Sequence, residues 1–327
     1  MRSIARTLLP FCVMASSSVT CASELALYSG ISYATGTETT YSWALEYRRA
    51  FAERWSGSFT WLNEGHIPDH HRDGHAAQLW WHANGQQAPS LRPSFRVGLG
   101  PYHYYDTRRA SNSRAYADAH GWGLLASAEA IWHINENLFA TVRANRVQTR
   151  GAGNSTALLA GIGYRFAPTS DRKDDGYPGA ATASMRRVEV DVLAGKAIVN
   201  SFESETDTAA ALALRYRATR NVTGSFSYID EGAGRRGEAR QGVAAQVWLE
   251  DDLSKRISVG AGIGPYFLID RARRADGTLP SKVAAVISVT GAYAITDALA
   301  ARLIWNRVAT KDDSDSDVVL VGVGYRF

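Results

Sequence analysis

The sequence predicts an all-β protein, a transmembrane antiparallel β-barrel fold built as two tandem eight-stranded barrels. Three observations lead to this fold class. Five segments recur in the same order in the two halves of the chain, which has 327 residues. Between turn-forming residues, apolar and polar side chains alternate with the period of two that is typical of strands. After the N-terminal segment, no apolar run reaches the roughly 18 residues of a membrane-spanning helix, whereas a barrel strand needs only about ten.

The first 23 residues have the composition of a secretory signal peptide. Two arginines precede an apolar run from Thr7 to Met14, and small residues follow it. We therefore expect residues 1–23 to be removed on export and the mature chain to start near Glu24. Lipoprotein processing at Cys21 is the alternative, although the usual Leu three residues earlier is missing. The other cysteine, Cys12, also lies in this segment, so the exported chain has no disulfide.

An internal duplication organises the rest of the chain. The matching segments are Trp55–Gly65 with Val222–Gly232, Gly74–Trp80 with Gly242–Trp248, Gly98–Tyr102 with Gly262–Tyr266, Asn145–Thr149 with Asn306–Thr310, and Gly161–Phe166 with Gly322–Phe327. Collinear matches of this kind indicate two copies of one barrel unit, 24–166 and 188–327. Residues 167–187 between them are polar and rich in turn-forming residues, which is typical of a linker.

Each copy holds eight segments with the alternation of a strand. In the first copy they are predicted at 25–34, 40–50, 54–64, 73–83, 91–106, 119–133, 137–148 and 155–166. In the second of these, one face carries Tyr41, Trp43, Leu45 and Tyr47, and the other carries Ser42, Ala44, Glu46 and Arg48. Short turns are expected at 50–53 and 135–136. Longer loops at 65–73 and 107–118 are expected on the opposite, extracellular side of a membrane barrel.

Aromatic residues at the strand ends favour a membrane barrel over a soluble periplasmic β-sandwich, whose strands also alternate. Those expected at the periplasmic interface are Trp55, Trp132, Tyr164 and Phe166, and those expected at the outer interface are Trp61 and Trp122. The C-terminal Tyr325-Arg326-Phe327 resembles the signature by which outer-membrane barrels are assembled. We therefore expect a protein of the Gram-negative outer membrane.

The expected partners follow from that location. They are outer-membrane lipid, including lipopolysaccharide, and the barrel-assembly machinery acting through Tyr325-Arg326-Phe327. Nucleic acid is not expected, because the formal net charge of +4 is spread evenly along the chain.

The inward residues bear on whether the strands close as one sixteen-stranded pore or as two separate barrels. Eight strands enclose just enough space for side chains to fill, whereas sixteen leave a water channel lined by charge. Both copies place large groups inward, such as Trp80 and Tyr102 in the first and Trp248 and Tyr266 in the second. The remaining inward positions predict a paired polar core of Glu46, Arg48, Arg96, Glu129 and Arg143. Two filled barrels are favoured, and one sixteen-stranded barrel is the alternative.

A histidine cluster is the candidate metal site. All eight histidines lie in the first copy, and four of them lie close together in one predicted loop: His66, His70, His71 and His75. Imidazole and carboxylate groups at this density are suited to zinc or copper. The spacing matches no defined site, and a solvated polar loop is the alternative.

Polar residues at the predicted outer ends of strands form a second candidate site, a mouth polar cluster. Its members occur in both copies: Glu64 with Glu231, Arg72 with Arg240, Asp106 with Asp270, and Asn145 with Asn306. Because strands three and four are neighbours, Glu64 and Arg72 are expected to form an ion pair that closes the barrel mouth. The functional alternative is a mouth that binds sugar or phosphate.

The layout of each copy resembles the lipid A deacylase barrel family. The resemblance rests on the Glu64-Gly65 step before strand four and on the Gly98-x-Gly100 segment of strand five. It implies a His-x-Ser pair near the outer end of the seventh strand, with a carboxylate that orients the histidine. This chain has Arg146-Val147-Gln148 and Arg307-Val308-Ala309 there, and it contains no His-x-Ser. The resemblance therefore implies a shared barrel layout without that pair.

The sequence thus predicts an integral outer-membrane protein with a structural or surface and lipid-interaction role, with no catalysis evident. A lipid A-modifying hydrolase and a passive pore are the alternatives. No cofactor is expected, because nucleotide-binding and metalloprotease motifs are missing from the chain.

Overall fold

The computed structural model describes residues 22–34, 39–67, 70–83, 93–109, 116–166, 186–201, 204–232, 240–269, 281–311 and 314–327. The predicted signal peptide up to residue 21, residues 167–185 of the predicted linker, and Asp270 lie outside the described residues. Within the described residues, no helix is long and apolar enough to cross a membrane.

The first barrel is a closed ring of antiparallel strands paired in chain order. The strands are β1 (Ser23–Ala34), β2 (Thr39–Ala52), β3 (Trp55–Ile67), β4 (His70–His82), β5 (Ser94–Arg108), β6 (Ala117–His133), β7 (Leu138–Thr149) and β8 (Ser155–Phe166). The ring closes where β1 pairs with β8, with Ser23 opposite Phe166. The Ser23–Phe166 pair and the short turns at 53–54 and 134–137 lie at one end of the barrel, which we call the turn end. The opposite end is the loop end.

The second barrel repeats this arrangement. Its strands are β9 (Val188–Val199), β10 (Thr206–Arg217), β11 (Val222–Asp230), β12 (Gln241–Asp252), β13 (Ile257–Leu268), β14 (Val283–Ala294), β15 (Leu299–Ala309) and β16 (Ser316–Arg326). The ring closes where β16 pairs with β9. Because β8 returns to β1 and β16 returns to β9, the prediction of two eight-stranded barrels is confirmed, and the sixteen-stranded alternative is wrong.

The connection between β3 and β4 is shorter than the sequence suggests. A loop is predicted at 65–73, but β3 continues to Ile67 and β4 begins at His70. The strand continues through a bulge, in which Gly65 has a φ of 84° and its N–H donates to the Asn63 side-chain oxygen over 2.9 Å. Most of the predicted histidine loop is therefore a strand extension.

The two faces of each strand have different surroundings. In β2 the predicted inward residues are buried, and their outward neighbours are partly or fully exposed. Large inward side chains fill both interiors: Tyr28, Leu62, Trp80, Tyr102 and Leu125 in the first barrel, and Ile229, Trp248, Tyr266 and Leu320 in the second. Trp61 departs from the prediction of an outer girdle. It points outward but is only 1% exposed, because it packs against Trp305 of the second barrel.

Candidate functional site

An ion-pair network fills the turn-end half of the first barrel. Arg143 and Arg96 both bind Glu129, with N–O distances of 3.0 and 2.7 Å. Arg143 also binds Glu46 at 2.8 Å, and Arg96 binds Glu24 at 2.7 Å. These side chains come from five different strands, and the most exposed of them, that of Glu24, is 10% exposed. The network therefore ties strands on opposite sides of the barrel across its interior.

Arg48 and Trp80 connect this network to the aromatic layer beside it. The Arg48 guanidinium lies 3.4 Å from Glu129 and 4.2 Å from the centroid of the Trp80 ring. The Trp80 Nε1–H donates to Ser58 Oγ over 2.9 Å. The sequence-based prediction of a paired polar core is confirmed, and the arginines find both carboxylate and aromatic partners.

The second barrel carries a related network built from fewer arginines. Arg302 binds Glu189 at 2.5 Å and Asp191 at 3.2 Å. Arg215 binds Glu250 at 2.6 Å and stacks on Trp248 at 4.6 Å from the ring centroid. Both barrels are thus filled by paired charges and aromatic rings.

The mouth polar cluster centres on one glutamate in each barrel. Arg72 binds Glu64 at 2.6 Å, as the neighbouring strand ends suggest, and Tyr102 donates to the same carboxylate over 2.7 Å. Ser155 also donates to Glu64. The second barrel repeats these contacts: Glu231 accepts from Tyr266 over 3.0 Å and from Ser316 over 2.6 Å, with Arg240 at 3.4 Å. The glutamates are 2% and 4% exposed, so the cluster closes the loop end of each interior.

The other predicted members of the mouth cluster lie elsewhere. Asp106 binds Arg108 at 2.9 Å and His70 at 3.2 Å rather than Glu64 or Arg72. Its predicted counterpart Asp270 lies outside the described residues. The structure brings together Glu64 with Arg72 and Glu231 with Arg240, whereas Asp106 forms a separate group with Arg108 and His70.

Asn145 and Asn306 lie deeper in the interiors, in a layer that both barrels share. Ser127 donates to Asn145 over 2.7 Å and accepts from Gln78 over 3.0 Å. In the second barrel, Ser288 donates to Asn306 over 2.6 Å and accepts from Gln246 over 2.8 Å. The alternation of strand residues predicts that these asparagines point inward. The sequence does not show which residues of other strands lie at the same depth in the barrel.

The four predicted metal-binding histidines do not converge. His66 stacks on His71 with 4.1 Å between ring centroids, while His70 turns to Asp106. His75 points away from the barrel interior and packs against Trp61 at 4.4 Å. Among the described residues, no three His, Cys, Asp or Glu side chains are grouped to hold a metal ion. A metal site here stays a prediction, which zinc titration calorimetry of the folded protein can check.

The two barrels contact each other through a charged patch near their loop ends. Arg307 on β15 binds Asp317 of the neighbouring β16 at 2.8 Å and Asp73 of the first barrel at 2.6 Å. The Trp61 and Trp305 rings stack at 3.8 Å beside this ion pair. All three charged residues point away from their own barrel interior and are less than 10% exposed. We call this group the docking patch. Its members were not predicted, and the available signal is charge at outward positions of a period-two strand.

Further polar contacts link the barrels on either side of the docking patch. His120 lies 2.6 Å from Asp315 at the loop end. At the turn end, Asp251 of the second barrel accepts from Tyr47 over 2.5 Å and from Ser23 over 2.8 Å, and Arg49 lies 3.2 Å away. The contact therefore extends along the whole height of both barrels.

The place that corresponds to the deacylase motif holds an exposed groove. On β7, Arg146 points outward and donates to Thr156 over 2.8 Å, and Val147 is buried in the interior. A groove of about 590 Å³ lies beside it on the outer surface. Its lining residues are Trp122, Gly123, Leu124, Gln148, Thr149, Arg150 and Asn154.

Solved structures of single barrels are similar to parts of this chain. The N-terminal β-barrel domain of Pseudomonas aeruginosa OprF is 15% identical over 44% of this chain and 97% of its own, with a TM-score of 0.36. Neisserial surface protein A is 12% identical over 46% of this chain and all of its own, with a TM-score of 0.35. The attachment invasion locus protein Ail of Yersinia pestis is 13% identical over 45% of this chain and 97% of its own, with a TM-score of 0.33. No protein family model matches the sequence, and no curated protein matches it.

Proposed function

We propose that this chain is an integral protein of the Gram-negative outer membrane with a structural and lipid-interaction role. The single observation that carries the proposal is the inverted distribution of polarity. Charged groups are paired inside each barrel, whereas large apolar side chains stand exposed on the outside. Examples are Leu27 at 56%, Ile162 at 52%, Phe226 at 58%, Ile263 at 60% and Leu249 at 68%. A surface of this kind is stable in lipid and prone to aggregate in water.

Aromatic residues at the turn end support the same placement. Exposed rings lie there in both barrels: Trp55, Trp132, Tyr164, Tyr293, Tyr325 and Phe327. Amphipathic rings of this type favour the interface between hydrocarbon and headgroups. Insertion would follow export by the predicted signal peptide, and the predicted assembly signal Tyr325-Arg326-Phe327 would engage the barrel-assembly machinery.

The filled interiors support a structural role over a pore. In the first barrel, Arg143 and Arg96 cross the interior at the turn end, and Glu64 with Arg72 closes the loop end. Trp80 and Tyr102 occupy the space between these layers and are fully buried. Conduction of solutes through the interior would require several buried ion pairs to break, which is costly.

Cell fractionation tests the proposal. We expect the full chain, expressed in a Gram-negative host, to sediment with the outer membrane and to resist extraction by alkaline carbonate. Unheated protein should migrate faster on a denaturing gel than boiled protein, because closed barrels resist the detergent. Recovery of folded protein in the soluble periplasmic fraction would overturn the assignment.

A further inference from the structure

The turn end of the contact between the barrels has one carboxylate at its centre. Asp251 of the second barrel accepts from Ser23 and Tyr47 at Oδ2, over 2.8 and 2.5 Å, and its Oδ1 lies 3.2 Å from the Arg49 guanidinium. These three partners come from β1 and β2 of the first barrel. Ser23 is the first residue of β1 and is only 7% exposed.

The second barrel shows what the same positions carry away from the contact. Ser23 lies opposite Arg49, and the equivalent pair is Val188 opposite Tyr216, because each pair is followed along its ladder by a buried glutamate and arginine. Val188 and Tyr216 are 36% and 50% exposed. The first copy therefore carries hydrophilic side chains where the second presents exposed apolar and aromatic ones, and Asp251 accounts for the difference.

Ser23 also lies at the end of the predicted signal peptide. The small residues there are compatible with cleavage after Ala22 or after Ser23. Cleavage after Ser23 would remove a residue that pairs with both neighbouring strands and reaches the second barrel. Cleavage after Ala22 keeps these contacts and loses one backbone hydrogen bond, from the Ala50 N–H to the Ala22 carbonyl. The contacts therefore favour a mature chain that begins at Ser23 and carries its α-ammonium group there.

We propose that the α-ammonium group of Ser23 in the exported chain binds the Asp251 carboxylate of the second barrel. The Ser23 nitrogen is three bonds from the Oγ that donates to Asp251, so the charge lies within about 6 Å of the carboxylate, where opposite charges attract. Arg49 binds the other carboxylate oxygen, so the two cations do not share one acceptor. A charge that exists only after the signal peptide is removed thus strengthens the contact between the barrels. The inference rests on the proposed export to the outer membrane.

Intact-mass measurement of the protein purified from outer membranes tests where the exported chain begins. We expect the mass of residues 23–327. A mass that corresponds to residues 24–327, or to any other start of a processed chain, would overturn the proposal.

The pH dependence of α-amine acylation tests the pairing with Asp251. Near neutral pH an unpaired α-amine is partly deprotonated and reacts before lysine side chains, whereas a carboxylate partner keeps it protonated. With an amine-acylating reagent and peptide mass spectrometry, we expect the midpoint of the reaction to lie roughly 0.5 to 1 pH unit higher in wild-type protein than in D251N. D297N removes a carboxylate from another exposed turn at this end of the second barrel, and its midpoint should match that of wild type.

A second form of the protein keeps the test decisive if D251N does not fold. Protein refolded with Ala22 as its first residue keeps every side chain of the contact and moves the charge one residue away, so its midpoint should also be lower. Equal midpoints in wild type and the altered form would overturn the pairing, even if burial changes the rate at every pH. Processed outer-membrane protein with an unpaired α-amine contradicts only this inference, whereas a chain that is never exported contradicts the proposed function.

Discussion

Arg307 of the second barrel donates to both carboxylate oxygens of Asp73 in the first barrel, over 3.0 and 2.6 Å. Two parallel hydrogen bonds of this kind are the strongest form of an arginine–carboxylate pair. In the proposed membrane placement, both side chains would face lipid if the barrels separated, and an isolated charge is costly there. The pair therefore favours the docked arrangement of the two barrels, since separation would leave Asp73 without its arginine, whereas Arg307 would keep Asp317.

The docking patch predicts that the barrels stay together when the chain between them is cut. We expect a protein with a protease site inserted within 167–185 to co-purify as two fragments in mild detergent after cleavage. The D73R substitution places like charges together and should separate the fragments. D73R/R307D restores opposite charges and should recover most of the association.

The control for this experiment is D297R, which makes the same charge change in an exposed turn of the second barrel. It should leave the fragments associated. If the D73R fragments stay together as firmly as those of D297R, the ion pair does not hold the barrels.

The interior network predicts a large loss of stability on removing one carboxylate charge. Glu129 is bound by Arg143 and Arg96, both buried, so E129Q leaves two arginines incompletely compensated. We expect the free energy of unfolding to fall by about 3 kcal/mol. Urea unfolding of protein folded into lipid vesicles measures it. E136Q, at an exposed turn position, should change stability by less than about 0.5 kcal/mol. Similar values for the two variants would contradict a stabilising role for the network.

The filled interiors predict that the protein does not conduct ions across a membrane. In planar lipid bilayers we expect the protein to insert without producing a large, stable open channel, whereas a porin in the same apparatus conducts. Brief, small current fluctuations fit a barrel with a packed interior. A reproducible open state of fixed conductance would show that the interior ion pairs do not block passage.

The residues at the loop end of β7 predict that the protein does not hydrolyse acyl chains of lipid A. The deacylase family that the layout resembles would have His and Ser near this position, and the chain has Arg146-Val147-Gln148 instead, with Val147 buried. Lipid A extracted from cells with and without the protein should therefore have identical mass spectra. A discrete loss corresponding to one acyl chain would establish a hydrolase with a different catalytic arrangement.

Much of the fold can be predicted from the alternation of polar and apolar residues along the strands. Outward Leu45 and inward Glu46 could be assigned because successive strand residues point to opposite faces, and repetition fixed the strand count in each copy. The same reasoning placed Glu64 beside Arg72, since their strands are neighbours. It could not predict how deep in the barrel interior Asn145 lies, because that depth depends on which residues face it from the other strands.

The docking patch could not be predicted from the sequence for a different reason. Asp73, Arg307 and Asp317 occupy outward positions, where the alternation predicts contact with lipid. Their compensation comes from the other barrel, so the pattern within one unit does not contain it. Charge at an outward position was the available signal. The prediction that Trp61 lies at the lipid interface was wrong for the same reason, because its partner belongs to the other barrel.

The docking patch joins unlike surfaces, because Asp73 of β4 in the first barrel binds Arg307 of β15 in the second, beside Asp317 of β16. Such a heterologous contact between identical subunits leaves one unused surface at each end, and addition continues into an open filament. Here the unused surfaces carry Gln241 in place of Asp73 and Thr156 in place of Asp317. Because the complementary charges are missing at both ends, we expect that a docking patch of this kind does not recruit a further copy of the chain.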